Sequence, residues 1–488
     1  MHLLQSLSNR YNLDEDFPKE VTDELEELLK HPERHWEGLK NLEHLPFVTI
    51  DNRDSRDLDQ AMAILERPNS EGYVVYYALA DASYFVRPGT ALWTEAKKRG
   101  VTFYFPGFNV PMLPRALSEG LCSLNENEKR RALIVESKLN RQGDCVSTTL
   151  YRALISSKAK LSYPGVQEHY DSDDQIYKNE PFAETLRLLK KIGSLRIKRS
   201  IKNEVVRYDR VQSEIKVTDS ICVISTKPRL AVESYNEQIS LLCNIEGALY
   251  LRSETNPIHG MSGVYRVHQP PTSERLQELQ ESISSLVDSH GVDANWRWNP
   301  QKDSLADYVR GLPDGRLAGA IQRQALLCNE SSYFSTEPGP HHGIGASCYA
   351  RFSSPMREMV GVLTHQMAFD QKHNQTHVDL DTAEDIVKKA NQCKMTQKSI
   401  AKDAHKIALD HLFLGDLKQD MPNRPYRHGT VLGNGSKLYV QLDDPPATVK
   451  VYSPKANPRV GSEIVLKTSH VDEVKKRWMF DIVDAISK

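Results

Sequence analysis

Val21, Leu25, Leu28 and Leu29 fall at i, i+4, i+7 and i+8, the apolar stripe of an amphipathic helix. Residues 1–45 therefore read as a short N-terminal helical segment. The period then shortens: Phe47-Val-Thr-Ile reads as a buried strand, residues 61–65 as a second and Tyr73–Ala80 as a third, with Pro68 and Gly72 marking the turn between the last two. From there to about residue 415 strands and helices mix, and the spacing predicts helices over 184–202, 233–252, 316–333, 356–373 and 382–413. Beyond Pro422 and Pro425 the pattern changes to short strands at 426–432, 438–442, 447–452, 463–471 and 475–483, separated by Gly, Pro, Asn and Asp. Five strands in about sixty residues are the mark of a small OB-type barrel, a fold that often holds single-stranded RNA.

A chain of 488 residues exceeds one ordinary core, so about two to four structural units are expected. Hydrophobic content of 39% with 26% charged residues is that of a globular protein, and no stretch of about 18 apolar residues offers a membrane span. The first ten residues lack the apolar core and cleavage site of a secretory signal. The seven cysteines form no C-x-x-C pair, so free thiols in a reducing compartment are expected rather than structural zinc. A net charge of −2 argues against a protein that coats duplex DNA over its whole surface, but leaves room for a local basic channel.

The densest chemistry lies in Thr49-Ile-Asp51-Asn-Arg-Asp54-Ser-Arg-Asp57-Leu-Asp59-Gln60, where four carboxylates fall in nine residues between two strands. Hard cations such as Mg²⁺ take oxygen ligands, and phosphate chemistry often uses two metals roughly 3.5–4 Å apart on clustered carboxylates. On an extended backbone Asp57 and Asp59 share one side, with Leu58 turned into apolar surroundings. Other readings compete. A calcium EF-hand loop fails, because its sixth position is Arg56 and its twelfth Met62. A solvated acidic loop neutralised by Arg53 and Arg56 stays open, and a helix N-cap cluster is disfavoured by the strand-like residues on both sides.

This loop resembles the ribonuclease II/ribonuclease R family (the RNB catalytic domain), whose motif reads T-I-D-x5-D-x-D-D-A; Asp51, Asp57, Asp59 and Ala61 match it, and Gln60 replaces the fourth aspartate. A second block, Tyr104-Phe-Pro-Gly-Phe-Asn-Val-Pro-Met-Leu-Pro-Arg115 with Leu121-Cys-Ser-Leu124, is similar to the family nearly throughout. A third runs from Ser335-Thr-Glu-Pro-Gly-Pro-His341 to Tyr349-Ala-Arg-Phe-Ser-Ser-Pro-Met-Arg357. The blocks keep family order, and the resemblance covers roughly residues 45–415. It implies an α+β fold: an RNB-type mixed-sheet catalytic domain (46–415) surrounded by helices, followed by a C-terminal OB-like β-barrel (422–488) that binds RNA. The family's N-terminal cold-shock domains are expected to be absent, since about 45 residues precede the catalytic domain. The implied activity is Mg²⁺-dependent (Mn²⁺ as an alternative) 3′→5′ hydrolysis of single-stranded RNA to 5′-monophosphates, by a cytoplasmic monomer with no membrane contact.

Carried over residue by residue, the resemblance implies that Asp51, Asp57 and Asp59 hold metal, with Asp59 the most sensitive to replacement. Gln60 would contribute a carbonyl oxygen but no charge, raising the metal demand, so that Gln60→Asp should lower it. Arg357 would clamp the phosphate at the scissile bond, Tyr104 would stack on a base at the 3′ end, and Tyr208 would be a second stacking ring. Without the resemblance, Tyr104 reads as a packing residue and Arg357 as a partner of Glu358 or Glu337. His341 and His342, being adjacent, read as loop structure rather than a metal pair. The basic run from Arg187 to Lys202 reads as a solvated helix face, with the wall of an RNA channel as the lesser alternative. After Arg357 the sequence leaves the family pattern, and with Gln60 this keeps two hypotheses open: an exoribonuclease with altered metal demand, or a catalytically weakened RNA-binding protein. A third, a protein-interaction scaffold, remains a minor alternative.

Overall fold

The computed structural model describes residues 7–202, 212–218, 221–253, 263–373, 375, 377–452, 454 and 456–486. Tyr208 lies outside them.

Among the described residues the main sheet has seven strands, in the order Lys40–Asn41, Cys145–Ser156, Lys129–Leu139, Tyr73–Ala80, Gln60–Glu66, Val48–Asp51, Ala159–Ser162. The two outermost pairings are parallel and those between them antiparallel. Ala61, Met62, Ala63 and Ile64 are all buried, a continuous apolar run that only a strand covered on both faces requires. One cover is the helix Ala183–Lys202, whose Thr185 hydroxyl accepts a hydrogen bond from Ile64 N at 3.2 Å. The helix Ala231–Ser253 packs against it so closely that a Cβ on Gly193 would stand 2.6 Å from Tyr235. Any side chain there would push the two helices apart.

Several boundaries differ from the sequence expectation. The N-terminal segment is only partly helical: Lys19–Lys30 forms a helix, and Lys40–Asn41 joins the sheet edge. The helix expected over 316–333 ends at Leu327, and Tyr333–Ser335 pairs with Tyr265–Val267 instead. The one expected from 356 starts at Met359 because Arg357 N and Glu358 N close a turn on Ser354 O.

The longest helix, Leu380–Leu417, runs 38 residues and passes behind the Tyr104 hairpin before reaching the C-terminal sheet. That sheet has five antiparallel strands in the order Thr448–Tyr452, Lys437–Leu442, Arg427–Gly433, Glu463–Asp472, Arg477–Ile486. Its two outer strands are not hydrogen-bonded together, but Arg477 bridges the seam by stacking 4.2 Å from the Tyr452 ring centroid. The result is an open, OB-like barrel. Phe413 of the long helix is buried in its core beside Val440, Leu466 and Phe480. Asp416 pins the junction by accepting from Arg427 at 2.5 Å and Thr468 at 2.8 Å.

Candidate active site

Three distant sequence blocks meet at Asp59. The loop leaving the Val48–Asp51 strand is tied down by Ser123, whose Oγ accepts from Leu58 N (2.9 Å) and donates to Arg56 O (2.8 Å), while Leu124 N donates to Leu58 O at 3.0 Å. Leu58 is thereby driven into the core, and Asp59 follows it to 2% exposure. From the third block, Met356 N donates to Asp59 Oδ1 at 3.0 Å, and Arg357 Nε stands 2.5 Å from Oδ2. That ion pair is close but poorly aligned: Asp59 Oδ2 and Arg357 Nε are both buried without a hydrogen-bond partner. Glu358, one alternative partner of Arg357, is taken by Arg351 at 3.0 and 3.1 Å.

The electrostatics follow from this burial. Loss of water pushes the Asp59 carboxyl up to about 6, against the pull of Arg357. Asp57 is also raised by burial, with Arg357 opposing and Asp51 adding repulsion. Arg357 is held firmly charged by Asp59, with Tyr104, Asp57 and Asp51 contributing. Asp51 sits at its strand end, where Oδ1 accepts from Asn52 N at 2.7 Å. Asp54 is exposed and does not join the group.

Tyr104 is carried by a small hairpin, Phe103–Phe105 against Phe108–Val110, whose flanking Phe103 and Phe105 are buried while Tyr104 stays 49% exposed. The hairpin base is stitched to the Arg357 segment through Thr102 N to Arg357 O (2.9 Å) and Met359 N to Gly100 O (2.8 Å). An open tyrosine ring thus stands beside the guanidinium. Burial of its hydroxyl raises the Tyr104 pKa, and Arg357 opposes the shift.

The RNB domain matches residues 39–371. The chain belongs to the RNB family. Among curated relatives, ribonuclease R of Vibrio cholerae is 28% identical over 421 residues, covering 82% of this chain and 49% of that protein. The chain spans about half the length of the curated relatives it matches. Of solved structures, Mycoplasma genitalium RNase R in complex with ribose-methylated single-stranded RNA shares the fold at a TM-score of 0.85 and 21% identity, over 99% of this chain and 78% of that one. Yeast Ssd1, described as a pseudonuclease, matches at 0.64 and 15% identity, over 90% and 54%.

Within this RNB domain the expected role of Gln60 needs correcting. Its side-chain oxygen accepts from the Tyr77 hydroxyl and its amide donates to Ser353 O at 2.5 Å, so both ends are tied to protein. It is a structural clamp, with its carbonyl turned to Tyr77. His341 and His342 form no metal site, and among the described residues no three His, Cys, Asp or Glu side chains form a chelating cluster. On the basic helix, Arg187 pairs with Glu66 (2.8 Å) and Glu184 (2.6 Å), Arg199 pairs with Asp144, and Lys190 and Lys191 lie over the Tyr170 and Tyr73 rings.

Sequence reasoning missed Asn244. From the helix Ala231–Ser253 its amide donates to Ser353 Oγ (2.9 Å) and the Tyr349 hydroxyl (3.0 Å), and its oxygen accepts from Phe352 N (2.8 Å) and Ser353 N (3.0 Å). This single side chain shapes the segment that presents Met356 and Arg357. The available signal was a lone amide following the apolar run Leu241-Leu242-Cys243.

Proposed function

We propose that the chain is a metal-dependent 3′→5′ exoribonuclease that removes nucleotides one at a time from single-stranded RNA and releases 5′-monophosphates. The observation that carries this reading is the buried Asp59 carboxylate, beside Asp57 and with Arg357 Nε 2.5 Å from its Oδ2, within the matched RNB domain. All-oxygen carboxylate donors suit a hard divalent ion, and Mg²⁺ (or Mn²⁺) is proposed, held by Asp51, Asp57 and Asp59 without Gln60. A divalent ion in such a site supplies an activated water and countercharge for the scissile phosphate. Arg357 offers its remaining guanidinium donors to a non-bridging phosphate oxygen, and its permanent charge favours the negative pentacoordinate state. Tyr104 supplies a face on which any terminal base stacks, so the step repeats regardless of sequence.

Residues 46–415 are proposed as the catalytic part, 1–45 as an N-terminal addition and 422–488 as an RNA-binding barrel. On the barrel's outer face Lys437 pairs with Tyr452 and Tyr439 with Lys450, with the Lys437 and Lys450 ammonium groups 5.4 and 5.8 Å from the Tyr439 ring. Alternating rings and cations on these two strands suit a stacked, charged single strand. The seven cysteines are all free thiols, which fits action in the cytoplasm, as a single chain.

The test is incubation of 3′-labelled and 5′-labelled single-stranded RNA with Mg²⁺ or Mn²⁺, beside Asp59→Asn. Mononucleotide release by the wild type alone supports the nuclease. Two observations favour a second reading, an RNA-binding protein with weakened hydrolysis: no three-carboxylate cluster is formed among the described residues, and Gln60 is withdrawn. Gel retardation without degradation by both proteins would favour it. Neither retardation nor degradation would sink both readings and leave the scaffold.

A further inference from the structure

A cleft of roughly 430 Å³ is lined by Arg266, His268, Ser332, His341, Tyr349 and Ser240 among others. Its walls hold donors in excess of acceptors. Arg266, half-buried, has no carboxylate within ion-pair distance among the described residues; its Nε donates to Ser332 Oγ at 3.2 Å. Lys394 Nζ donates to that same oxygen at 3.0 Å. With two donors already on it, the Ser332 hydroxyl has its own proton left for another acceptor. His268 Nδ1 accepts from Gly343 N at 2.9 Å, which places the ring proton on Nε2. That buried Nε2–H reaches toward the Glu330 carbonyl without closing a hydrogen bond. The Tyr349 hydroxyl accepts from Asn244 and likewise keeps its proton.

The nearby negative charges do not balance this set. Glu237 on the rim is paired with Arg229 at 2.6 Å, and Glu358 with Arg351; Glu330 remains at the edge. Burial lowers the pKa of Arg266, with repulsion from Arg351 adding to it, and lowers Lys394 to about 8. Against this loss of water the one carboxylate acting on both cations is Glu358, already paired with Arg351. A small anion with several acceptor oxygens meets the fork of Arg266 and the three O–H and N–H donors together.

We propose that this cleft is a second phosphate-binding site, distinct from the scissile position at Arg357, for the phosphate group of a nucleotide. The source is either a diester of an RNA chain or the monoester of a free nucleotide. Tyr349, Asn244 and Ser353 connect it by hydrogen bonds to Gln60 and so to the strand that follows Asp59. The site stands whether or not the chain hydrolyses RNA, because its test reads binding.

Binding of inorganic phosphate to the full chain is measured by isothermal titration calorimetry without divalent metal, for wild type, Arg266→Gln, Ser332→Ala and Arg357→Gln. Charged hydrogen bonds of this kind predict affinity weakened about tenfold or more in Arg266→Gln and a smaller loss in Ser332→Ala, whereas Arg357→Gln removes only the phosphate held at the scissile position. Circular dichroism checks folding, and if Arg266→Gln fails it, Ser332→Ala carries the test. Unchanged binding in the folded variants, or loss only in Arg357→Gln, overturns the proposal. Displacement of phosphate by a 5′-mononucleotide but not an oligouridylate with hydroxyl ends assigns a monoester; displacement by the oligouridylate assigns the chain. If neither displaces it, the nucleotide assignment is overturned.

Discussion

Replacing Gln60 by aspartate, which restores the family motif, should weaken the protein rather than its dependence on metal. Aspartate is one methylene shorter, so it reaches neither the Tyr77 hydroxyl nor Ser353 O, the two partners that Gln60 joins. Tyr77 is 1% exposed and Ser353 is buried, so both groups lose their partner away from water. Each unsatisfied buried group costs about 1–3 kcal/mol; because Ser240 lies within hydrogen-bond reach of the Tyr77 hydroxyl and recovers part of one loss, the total is about 2–4 kcal/mol. Urea denaturation of wild type, Gln60→Asp, Tyr77→Phe and the double variant measures the loss, and the cycle should show about 1–2 kcal/mol of coupling between residues 60 and 77. A Mg²⁺ titration of RNA hydrolysis alongside should show no drop in the metal required. Wild-type stability together with a lower metal requirement would refute the clamp and put residue 60 back among the metal ligands.

Tyr104→Ala should weaken RNA binding about tenfold, the loss of roughly 1–3 kcal/mol of base stacking, whereas Tyr104→Phe should bind like wild type; equal loss in both would point to the hydroxyl instead. Tyr439→Ala with Lys450→Ala should weaken binding of long RNA and spare that of a tetranucleotide, read by fluorescence anisotropy, and identical affinities would remove the barrel face from the RNA path. Burial lowers the His365 pKa to about 4, below an unfolded value near 6.5, so its contribution to stability is complete above about pH 6.5 and lost as pH falls toward 4. His365→Gln, which keeps a donor for Phe352 O, should therefore remove a slope of about 1.4 kcal/mol per pH unit between about pH 4.5 and 6, and parallel stability profiles would contradict this.

Strands with unbroken apolar runs were legible because a sheet covered on both faces demands them, and Tyr73–Ala80 falls where its pattern places it. The five barrel strands were legible through their punctuation by Gly, Pro, Asn and Asp. Gln60 entered the metal set only through its place in the family motif. Gln60 opens a strand, where successive side chains turn to opposite faces, and it faces Tyr77 while Asp59 faces Arg357. Arg357 and Tyr104 came only from resemblance, since nothing local says that residue 102 will pair with 357. Asn244 was hidden for the same reason: its four hydrogen bonds all reach residues more than a hundred positions away. The overrun of the helix beginning at Arg316 has a local cause, because no Gly or Pro follows Leu327 to mark its end.

At 1.5 Å per residue, the 38-residue helix Leu380–Leu417 is a rod of roughly 57 Å. One stretch of it backs the hairpin that displays Tyr104, and its tip is swallowed by the barrel through Phe413. Such a shaft leaves the barrel no slack tether on which to swing: any tilt at its far end must be felt under the aromatic ring, so the barrel and the Tyr104 hairpin are mechanically geared together.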